Sequence, residues 1–283
     1  MPQILVIGSV AWDEVVLLDA PMRVGSHNGG RWQGRRIGGG AANTAMALAR
    51  AGDTAKVVSA VGADLDGERL ANDLARLGVD VDLLDRMGEE TTRSLVMLDP
   101  AGERTIVNLA RAPVPLPSGL AGIAADACYV RSADPALTAI LAQRVQRGPV
   151  LAHVPPLQEA FRPAQVLVGS ASDLDADFLA DPFAAGRRIA GDVLQWMVVT
   201  YGPEGARAFA ADAVLECAAP QVPVEDSTGA GDVFAAGLVH GMALGLPMEQ
   251  VLEGAVAWGS ASVQYEGTVP PAGFPQLQAP FYR

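Results

Sequence analysis

Hydrophobic positions along the chain follow two different spacings. Continuous apolar runs, which are typical of strands buried on both faces, cover residues 4–7, 55–61, 79–84, 127–130, 150–153, 166–168 and 196–200. Apolar residues at helical spacing cover residues 44–50, 66–77, 135–146, a segment ending near 189, and residues 233–245 and 248–264. This alternation of strands and helices predicts a mostly parallel sheet covered by helices.

Four further segments predict a small β element that stands apart from the main sheet. Residues 91–98 and 104–108 have the partial alternation of a hairpin, and residues 99–102 between them are typical of a turn. With residues 12–18 and 31–37, this hairpin predicts a four-stranded flap. No repeat or interdomain linker interrupts the pattern, so we expect a single α/β domain over residues 1–283.

Residues 226–232, Asp-Ser-Thr-Gly-Ala-Gly-Asp, lead directly into a predicted helix. Gly229 and Gly231 let backbone N–H groups point outward, and the first turn of a helix attracts anions. Asp232 would repel such an anion unless it takes a proton from a nucleophile that attacks it. The motif therefore favours phosphoryl transfer to a hydroxyl. The alternative is a first-turn acid that only favours the helix dipole.

A second glycine-rich turn, residues 38–43, precedes the first predicted helix. Its glycines let a ligand approach the backbone, and Asn43 can donate to and accept from hydroxyls. Asp13 follows the first predicted strand, and ligands collect beyond the carboxyl ends of strands in open α/β sheets. A flexible loop before a capped helix and an aspartate that caps a turn are the alternatives.

Composition and charge favour a small-molecule partner. Hydrophobic residues make up 50% of the 283 positions, and the net charge of −12 argues against nucleic acid. Lys56 is the one lysine among 20 basic residues, which excludes a P-loop. Cys128 and Cys217 are expected to be reduced thiols. The N-terminus is typical of a strand rather than a signal peptide, and no run is long enough to span a membrane, so we expect a cytoplasmic protein.

Three separated motifs together resemble the ribokinase-like (PfkB) family of carbohydrate kinases. They are residues 38–43, Thr200-Tyr-Gly202 after a strand, and residues 226–232, which are highly specific for that family. The resemblance covers essentially the whole chain. It implies a three-layer α/β/α ribokinase-like fold with a small β-sheet lid formed by about residues 11–37 and 89–111. It also implies an ATP-dependent sugar kinase whose lid closes over the sugar and often pairs between subunits, hence a homodimer.

The resemblance implies a role for each matching position. Asp232 matches the catalytic base, and Gly229, Ala230 and Gly231 match the N–H groups that hold the transferred phosphoryl group. The positions matching the nucleotide-binding turn are Thr200, Gly202 and Gly205. The positions matching contacts to sugar hydroxyls are Asp13, Gly39, Gly40 and Asn43. The positions matching residues beside a monovalent-cation site, occupied by K⁺ in potassium-activated members, are Asp226 and Thr228.

Two departures from the family pattern lie on the nucleotide side. Where the family usually has an Asn-x-x-Glu stretch that helps to hold hydrated Mg²⁺ and ATP, this chain has Ser170-Ala-Ser-Asp173. Asp173 can still bind the water shell of Mg²⁺, whereas Ser170 reaches less far. Val256 stands at or near the position of an asparagine often found beside the adenine. The phosphoryl chemistry is therefore better defined than the nucleotide preference.

Polar side chains on the flap and at one strand end favour an acidic acceptor. Arg93 and Asn108 lie on the predicted hairpin, and Arg131 directly follows a buried strand. Converging guanidinium groups would bind a phosphate, sulfonate or carboxylate bidentately. We therefore expect a phosphorylated, sulfonated or otherwise acidic sugar, although Ser26 and His27 stand where such family members can carry a lysine.

Two other functions stay open at this level. A nucleoside kinase of the same family would need an aromatic or apolar base pocket under the lid, to which Trp12 or Trp32 could contribute. A non-catalytic sugar sensor is the other alternative. The intact Asp232 argues against a sensor because a sensor needs no general base, whereas Ser170 argues weakly for one.

Overall fold

The computed structural model describes residues 1–101, 104–155 and 161–274. Its strands are β1 (Gln3–Gly8), β2 (Ala11–Leu18), β3 (Gly30–Gly38), β4 (Thr54–Val61), β5 (Leu84–Arg86), β6 (Arg93–Leu98), β7 (Arg104–Ala110), β8 (Ala127–Arg131), β9 (Val150–His153), β10 (Val166–Ser170), β11 (Trp196–Thr200), β12 (Ala206–Phe209) and β13 (Val214–Cys217). Its α-helices are α1 (Gly40–Arg50), α2 (Leu65–Arg76), α3 (Leu137–Arg144), α4 (Ala176–Ala180), α5 (Pro182–Ala190), α6 (Ala230–Ala243) and α7 (Met248–Ser262).

The larger sheet has the strand order β13-β12-β11-β10-β9-β8-β1-β4-β5. Neighbours from β11 to β5 run parallel, whereas β12 and β13 add antiparallel pairs at one edge. Side chains of β1 alternate between two cores, with Ile4 and Val6 on the side of α1, α6 and α7 and Leu5 and Ile7 on the side of α3 and α5. Burial on both faces explains the continuous apolar runs, and the predicted three-layer fold is confirmed.

The remaining strands form a separate small sheet in the order β3-β2-β6-β7. The pairs β2–β3 and β6–β7 are antiparallel, and β2 and β6 are parallel. These strands coincide with the segments predicted for the flap, except that residues 102 and 103 of its turn lie outside the described residues. Since β2 follows β1 and β3 leads into α1, the small sheet is joined to the main sheet at the carboxyl ends of its strands. The single-domain assignment and the lid bounds stay predictions.

The prediction of a strand over residues 79–84 is wrong, because β5 begins only at Leu84. Asp80 makes an isolated bridge to Lys56, and the Lys56 Nζ lies 3.2 Å from Asp80 Oδ2. The Asp80 Oδ1 also accepts a hydrogen bond from the backbone N–H of Asp82 at 3.0 Å. An aspartate that binds its own following backbone favours a turn over a ladder.

Helix α1 begins at Gly40, four residues before the predicted start at residue 44. Gly39 precedes it with φ of 91°, and a Cβ there would lie 2.5 Å from the carbonyl oxygen of Ser9. Only glycine allows this backbone to turn so close to the link between β1 and β2. The turn brings Asn43 into the first turn of α1, beside the N-terminus of α6.

Candidate active site

Neighbouring parallel strands of the main sheet end in polar residues at a common edge. Their last residues are Arg131 in β8, His153 in β9, Ser170 in β10 and Thr200 in β11. Helices α1 and α6 begin near this edge and pack against each other. In an open α/β sheet this edge is where ligands bind.

The turn before α6 has the backbone expected of an anion-binding site. Gly229 has φ of 79°, which an L side chain rarely adopts, and α6 follows at Ala230. The N–H of Ala230 donates a long hydrogen bond of 3.3 Å to Ser227, and the N–H of Asp232 donates to Gly229 at 2.9 Å. No described atom lies within 4 Å of the Cβ position of Gly231, so the first turn opens into free space there. The turn thus combines a left-handed residue, a helix N-terminus and room for a group beside it.

Asp232 lies buried at the base of this opening and is held by α1. Its Oδ2 accepts a hydrogen bond from the Asn43 side-chain amide at 2.8 Å, and its carbonyl oxygen accepts one from the Thr44 hydroxyl at 3.1 Å. Within the described part of the chain, the buried Asp232 Oδ1 and Asn43 Oδ1 have no hydrogen-bond partner. Two buried acceptor oxygens that accept no hydrogen bond suit a ligand that carries hydroxyl groups.

Arg131 reaches Asp232 from the end of β8. Its Nε lies 3.2 Å from the Asp232 Oδ1, and the charge of Asp232 raises the pKa of Arg131 above its ordinary value. The side chain fits because residue 40 is glycine: a Cβ on Gly40 would lie 2.1 Å from the Arg131 Cδ. The Arg131 side chain is about one-third exposed, so it can contact a ligand while it neutralises Asp232.

Asp13 provides a second carboxylate in the same region. It lies on β2 against Gly38, where a Cβ would lie 2.0 Å from the Asp13 Oδ2. Burial raises the pKa of Asp13 to about 6, although a hydrogen bond from Ser94 and the charge of Arg104 lower it. The charge of Asp232 also raises this pKa, which indicates that the two carboxylates share one electrostatic environment.

The small sheet places Asn108 on the same face as Asp13. Successive residues of a strand point to opposite faces, and the register pairs Asp13 with Ser94 and Ser94 with Asn108. Arg104 pairs with Leu98 further along β7 and shares this face by alternation. The structure therefore brings Asn108 to the face of Asp13, together with an arginine that the sequence analysis did not single out.

Arg93 and Trp12 require correction, because both lie on the face of the small sheet turned away from Asp13. Arg93 pairs with Trp12, and its Nη1 lies 3.9 Å from Glu14 Oε1. The Trp12 ring packs under the Arg35 guanidinium, 5.5 Å from its centroid, and its Nε1 donates to the carbonyl oxygen of Asp66 at 2.9 Å. The period-two alternation of β2 and β6 removes both residues from the acceptor side.

Asp226 is fully engaged within the protein. Its Oδ1 accepts from the Thr228 N–H at 2.8 Å, and its Oδ2 accepts from the Gly267 N–H at 3.0 Å and from the Arg36 Nη1 at 2.9 Å. Burial raises the pKa of Asp226, but the hydrogen bonds from Thr228 and Gly267 and the charge of Arg36 outweigh it and lower the pKa. The predicted pair Asp226 and Thr228 thus comes together, with Arg36 as an unpredicted third member.

The nucleotide-side residues line the adjoining strand ends. Thr200 pairs in register with Ser170, whose hydroxyl lies 2.8 Å from that of Ser172. Asp173 follows, and its charge acts on Arg131. A carboxylate just beyond these strand ends fits the water-mediated binding that Mg²⁺ prefers.

The turn after β11 has a tight backbone. The N–H of Tyr201 donates to the Gly205 carbonyl oxygen at 2.8 Å, and Gly202 and Gly205 have φ of 57° and 103°. A Cβ on Gly205 would lie 2.1 Å from the Cys217 carbonyl oxygen, so only glycine fits. Val256 packs into the core with 5% exposure, and its place beside the adenine stays a prediction.

Sequence reasoning missed three residues near the site. His153 ends β9 as Arg131 ends β8, so the same strand-end rule could have found it. Burial and the charge of Arg131 lower the pKa of His153 to about 4, with Asp232 and Asp173 acting in the opposite direction. Arg36 and Arg104 lie on strands of the small sheet, where their face depends on register. In the described ranges no three metal-ligating side chains cluster, and no helix there combines the length and apolar character of a membrane span.

These groups define a class of site. A buried carboxylate lies beside a turn suited to bind an anion. Amide and carboxylate groups that can bind hydroxyls lie on either side of that carboxylate. Such a site transfers a group directly and needs no covalent nucleophile. This is the arrangement of a phosphotransferase with an alcohol acceptor. The model of the family described as pfkB family carbohydrate kinase matches residues 1–116 and 124–273, so the chain belongs to the pfkB family of carbohydrate kinases.

Individual relatives include both sugar and nucleoside kinases. The chain is 28% identical to an ATP-dependent ribose-1-phosphate kinase of Halopiger xanaduensis, with 94% of each chain covered. It is 25% identical to a nucleoside kinase of Methanothermobacter thermautotrophicus, covering 94% of this chain and 90% of the relative. Among solved structures, the ribokinase of Cryptococcus neoformans var. grubii serotype A in complex with ADP has 25% identity, a TM-score of 0.77, and coverage of 96% of this chain and 98% of its own.

Proposed function

We propose that this protein transfers the γ-phosphoryl group of ATP to a hydroxyl of a small sugar that carries an anionic group. One observation carries the proposal: among the described residues the buried Asp232 Oδ1 accepts no hydrogen bond and is paired only with the Arg131 Nε at 3.2 Å, two residues after α6 begins at Ala230. A carboxylate in that position is suited to accept the proton of an acceptor hydroxyl. The group that this hydroxyl attacks would lie at the turn formed by Gly229, Ala230 and Gly231.

The reaction follows from these positions. The acceptor hydroxyl gives its proton to Asp232 while its oxygen forms a bond to the γ-phosphorus, and the bond from that phosphorus to the bridging oxygen breaks to release ADP. The helix N-terminus and the N–H groups of the turn stabilise the charge on the transferred group. Asn43 holds the other oxygen of Asp232 at 2.8 Å and so fixes the direction of the Oδ1.

The acceptor site has groups for hydroxyls and for an anion. Asp13 and Asn43 offer acceptor oxygens to sugar hydroxyls, and Asn108 lies two strands from Asp13 on the same face of the small sheet. Arg104 supplies positive charge near Asp13, and Arg131 supplies it beside Asp232. The Halopiger relative acts on ribose 1-phosphate, a sugar that bears an anion, which supports this acceptor class.

The nucleotide would bind along the ends of β10 and β11. Thr200, Gly202 and Gly205 form the turn against which it would lie, and Asp173 would hold Mg²⁺ through water. The metal would neutralise charge on the transferred phosphates. Ser170 remains bonded to Ser172 and would contribute little to that site.

A nucleoside kinase is the second candidate, supported by the Methanothermobacter relative. Trp12 is committed to the other face of the small sheet. Trp32, which is 68% exposed on β3, pairs with Val16 and so shares the face of Trp12, which leaves neither tryptophan to cover a base beside Asp13. A non-catalytic sensor is disfavoured, because a sensor gains nothing from burying an ionisable Asp232 beside an anion turn.

We place the protein in the cytoplasm. The edge strands of the lid support a homodimer. In the small sheet, β3 and β7 are edge strands, and exposed edges pair readily with another chain. Trp32, Ile106 and Leu109 are exposed large hydrophobic side chains on these two strands. Light scattering coupled to size exclusion would test the dimer, and a monomeric mass at working concentration would contradict it.

The central experiment measures ADP formation from ATP across matched acceptors. The panel pairs neutral pentoses and hexoses with their phosphates and sugar acids, and includes nucleosides. We expect turnover on an anionic sugar and a fall in kcat of about 10²–10⁴-fold for Asp232→Asn, the usual contribution of a general base. Equal rates for wild type and variant would contradict the mechanism, and a preference for nucleosides would favour the second candidate.

A further inference from the structure

Arg36 joins the lid to the turn that precedes the anion site. Its Nη1 lies 2.9 Å from Asp226 Oδ2, and its Nη2 lies 2.5 Å from Glu266 Oε1. Arg36 is on β3, where it pairs in register with Asp13, so the guanidinium reaches from the acceptor face of the small sheet. Asp226 itself is only 11% exposed at its side chain.

The bonds already made by Asp226 leave little room for a metal ion. A carboxylate offers about four acceptor positions, and three donors, from Thr228, Gly267 and Arg36, already point at this one. A cation bound through oxygen would need several such ligands at once. It would also lie next to the positive guanidinium of Arg36, which repels it.

The segment after α7 closes the same cluster. Gly267 donates to Asp226, and the Thr268 hydroxyl donates to the Ile37 carbonyl oxygen on β3 at 2.5 Å. The Thr268 methyl lies 3.3 Å from the Cβ position of Gly229. The base of the lid, the loop at Asp226 and the anion turn are therefore held by one set of contacts.

We propose that the Arg36 guanidinium takes the place of a monovalent cation in this protein. The residues that the family resemblance associates with K⁺, Asp226 and Thr228, do not fit a bound ion here, because Arg36 already neutralises Asp226. Arg36 is a positioning residue: it fixes the loop that leads into Gly229 and links that loop to the lid. The protein therefore needs no K⁺. The positive charge that the ion would supply is carried by Arg36, on the lid strand β3.

The first test compares K⁺, Na⁺ and N-methylglucamine at one ionic strength. The kinetic part rests on the proposed kinase function, whereas the melting temperature does not. We expect the wild-type rate to change by less than about twofold, since a coupled effector usually acts about fivefold or more. We expect the wild-type melting temperature to be the same in all three salts. A K⁺-specific rise in either quantity would overturn the proposal. If the protein had no kinase activity, the melting temperatures would still decide whether K⁺ binds.

The second test replaces Arg36 itself. Arg36→Ala is expected to lose kcat with little change in the KM of the acceptor, to melt at a lower temperature, and to regain part of both losses in K⁺ but not in N-methylglucamine. Arg35→Ala is the matched control, because Arg35 is on the same strand with its guanidinium bound to Glu14 and Asp66 on the other face. Equal kinetics for the two variants would overturn the positioning role. If Arg36→Ala fails to fold, Arg36→Lys carries the test: the ammonium should keep the charge and with it the K⁺ independence, so K⁺ stimulation of that variant above its N-methylglucamine control would overturn the proposal.

Discussion

Asn43 donates its side-chain amide to the Asp232 carboxylate at 2.8 Å, across 189 positions of sequence. The bond joins the first turns of α1 and α6, the two helices that begin at the glycine-rich motifs. Because Asn43 donates to the Asp232 Oδ2, the Oδ1, which accepts no hydrogen bond among the described residues and lies 3.2 Å from the Arg131 Nε, is the oxygen placed to meet an acceptor hydroxyl. The hydrogen bond thus joins the motifs at residues 38–43 and 226–232 into one site and fixes the orientation of the Asp232 carboxylate.

Replacing Asn43 should therefore damage activity more than it damages the fold. Asn43→Ala leaves a buried Asp232 oxygen without its donor, which costs about 1–3 kcal/mol of the free energy of unfolding. The carboxylate also loses its fixed direction, and we expect kcat to fall about 10–100-fold, as displacements of about 1 Å can produce. Steady-state ADP release and denaturant unfolding measure the two effects.

Asn72→Ala is the control for this change, since Asn72 is exposed on α2 far from the site. It should alter the free energy of unfolding by no more than about 0.5 kcal/mol. The interpretation of Asn43 fails if Asn43→Ala retains wild-type kcat.

Asp13 should make both activity and stability depend on pH. Its pKa in the folded protein is about 6, against an ordinary value of 3.8. The folded state thus binds the proton more tightly than the unfolded state, so stability falls as pH rises from about 4 to 6 and the loss persists above 6. In the other direction, kcat/KM should fall as pH drops through about 6, because a protonated Asp13 no longer accepts from sugar hydroxyls.

Asp13→Asn separates these two effects. The variant cannot titrate at this position, so at neutral pH it should be more stable than wild type by about 1–3 kcal/mol, and the gain should vanish below about pH 4. Its kcat/KM should be low at every pH. Thermal unfolding across pH measures the stability effect, and Asp212→Asn, a change at an exposed position, is its control. The pH–rate profile measures the kinetic effect. If kcat/KM of Asp13→Asn still falls as pH drops through about 6, the fall belongs to another group.

The fold was predictable because burial on both faces leaves continuous apolar runs, as in residues 4–7 and 196–200. The prediction failed over residues 79–84, where Asp80 binds its own following backbone and ends the pairing. A count of apolar residues does not detect a side chain that competes with the hydrogen bonds between strands. The error therefore lies in local hydrogen bonding rather than in the layer architecture.

The site was predictable where it depends on local backbone, as at residues 226–232, and less so where it depends on register. Arg93 and Asn108 both lie on the hairpin, but strand alternation puts only Asn108 on the face of Asp13. Arg36 could not be assigned from sequence, since its partners Asp226 and Glu266 are 190 and 230 positions away. Contacts of that separation exist only once the sheets have assembled.

Arg131 and Arg93 should differ sharply in their effect on acceptor choice. Arg131→Met removes the charge beside Asp232, and we expect the kcat/KM ratio of a phosphorylated sugar to its neutral parent to fall about 30-fold, equivalent to about 2 kcal/mol. Arg93→Met removes a guanidinium on the opposite face and should leave the ratio within about twofold, since such surface pairs contribute little. Equal shifts in the two variants would contradict the assignment of faces.

Gly40 tests whether the position of Arg131, and not only its charge, matters. A Cβ at residue 40 would lie 2.1 Å from the Arg131 Cδ and 2.2 Å from its Nε, and the backbone there needs no positive φ. The flexible arginine must therefore move while α1 stays intact, so Gly40→Ala should cost at most about 1 kcal/mol of stability. Its kcat/KM for the anionic acceptor should still fall about tenfold or more, because the Arg131–Asp232 contact is displaced. Gly122→Ala, with no described atom within 4 Å of its Cβ position, should change neither quantity; wild-type kinetics for Gly40→Ala would mean that Arg131 acts only as a diffuse charge.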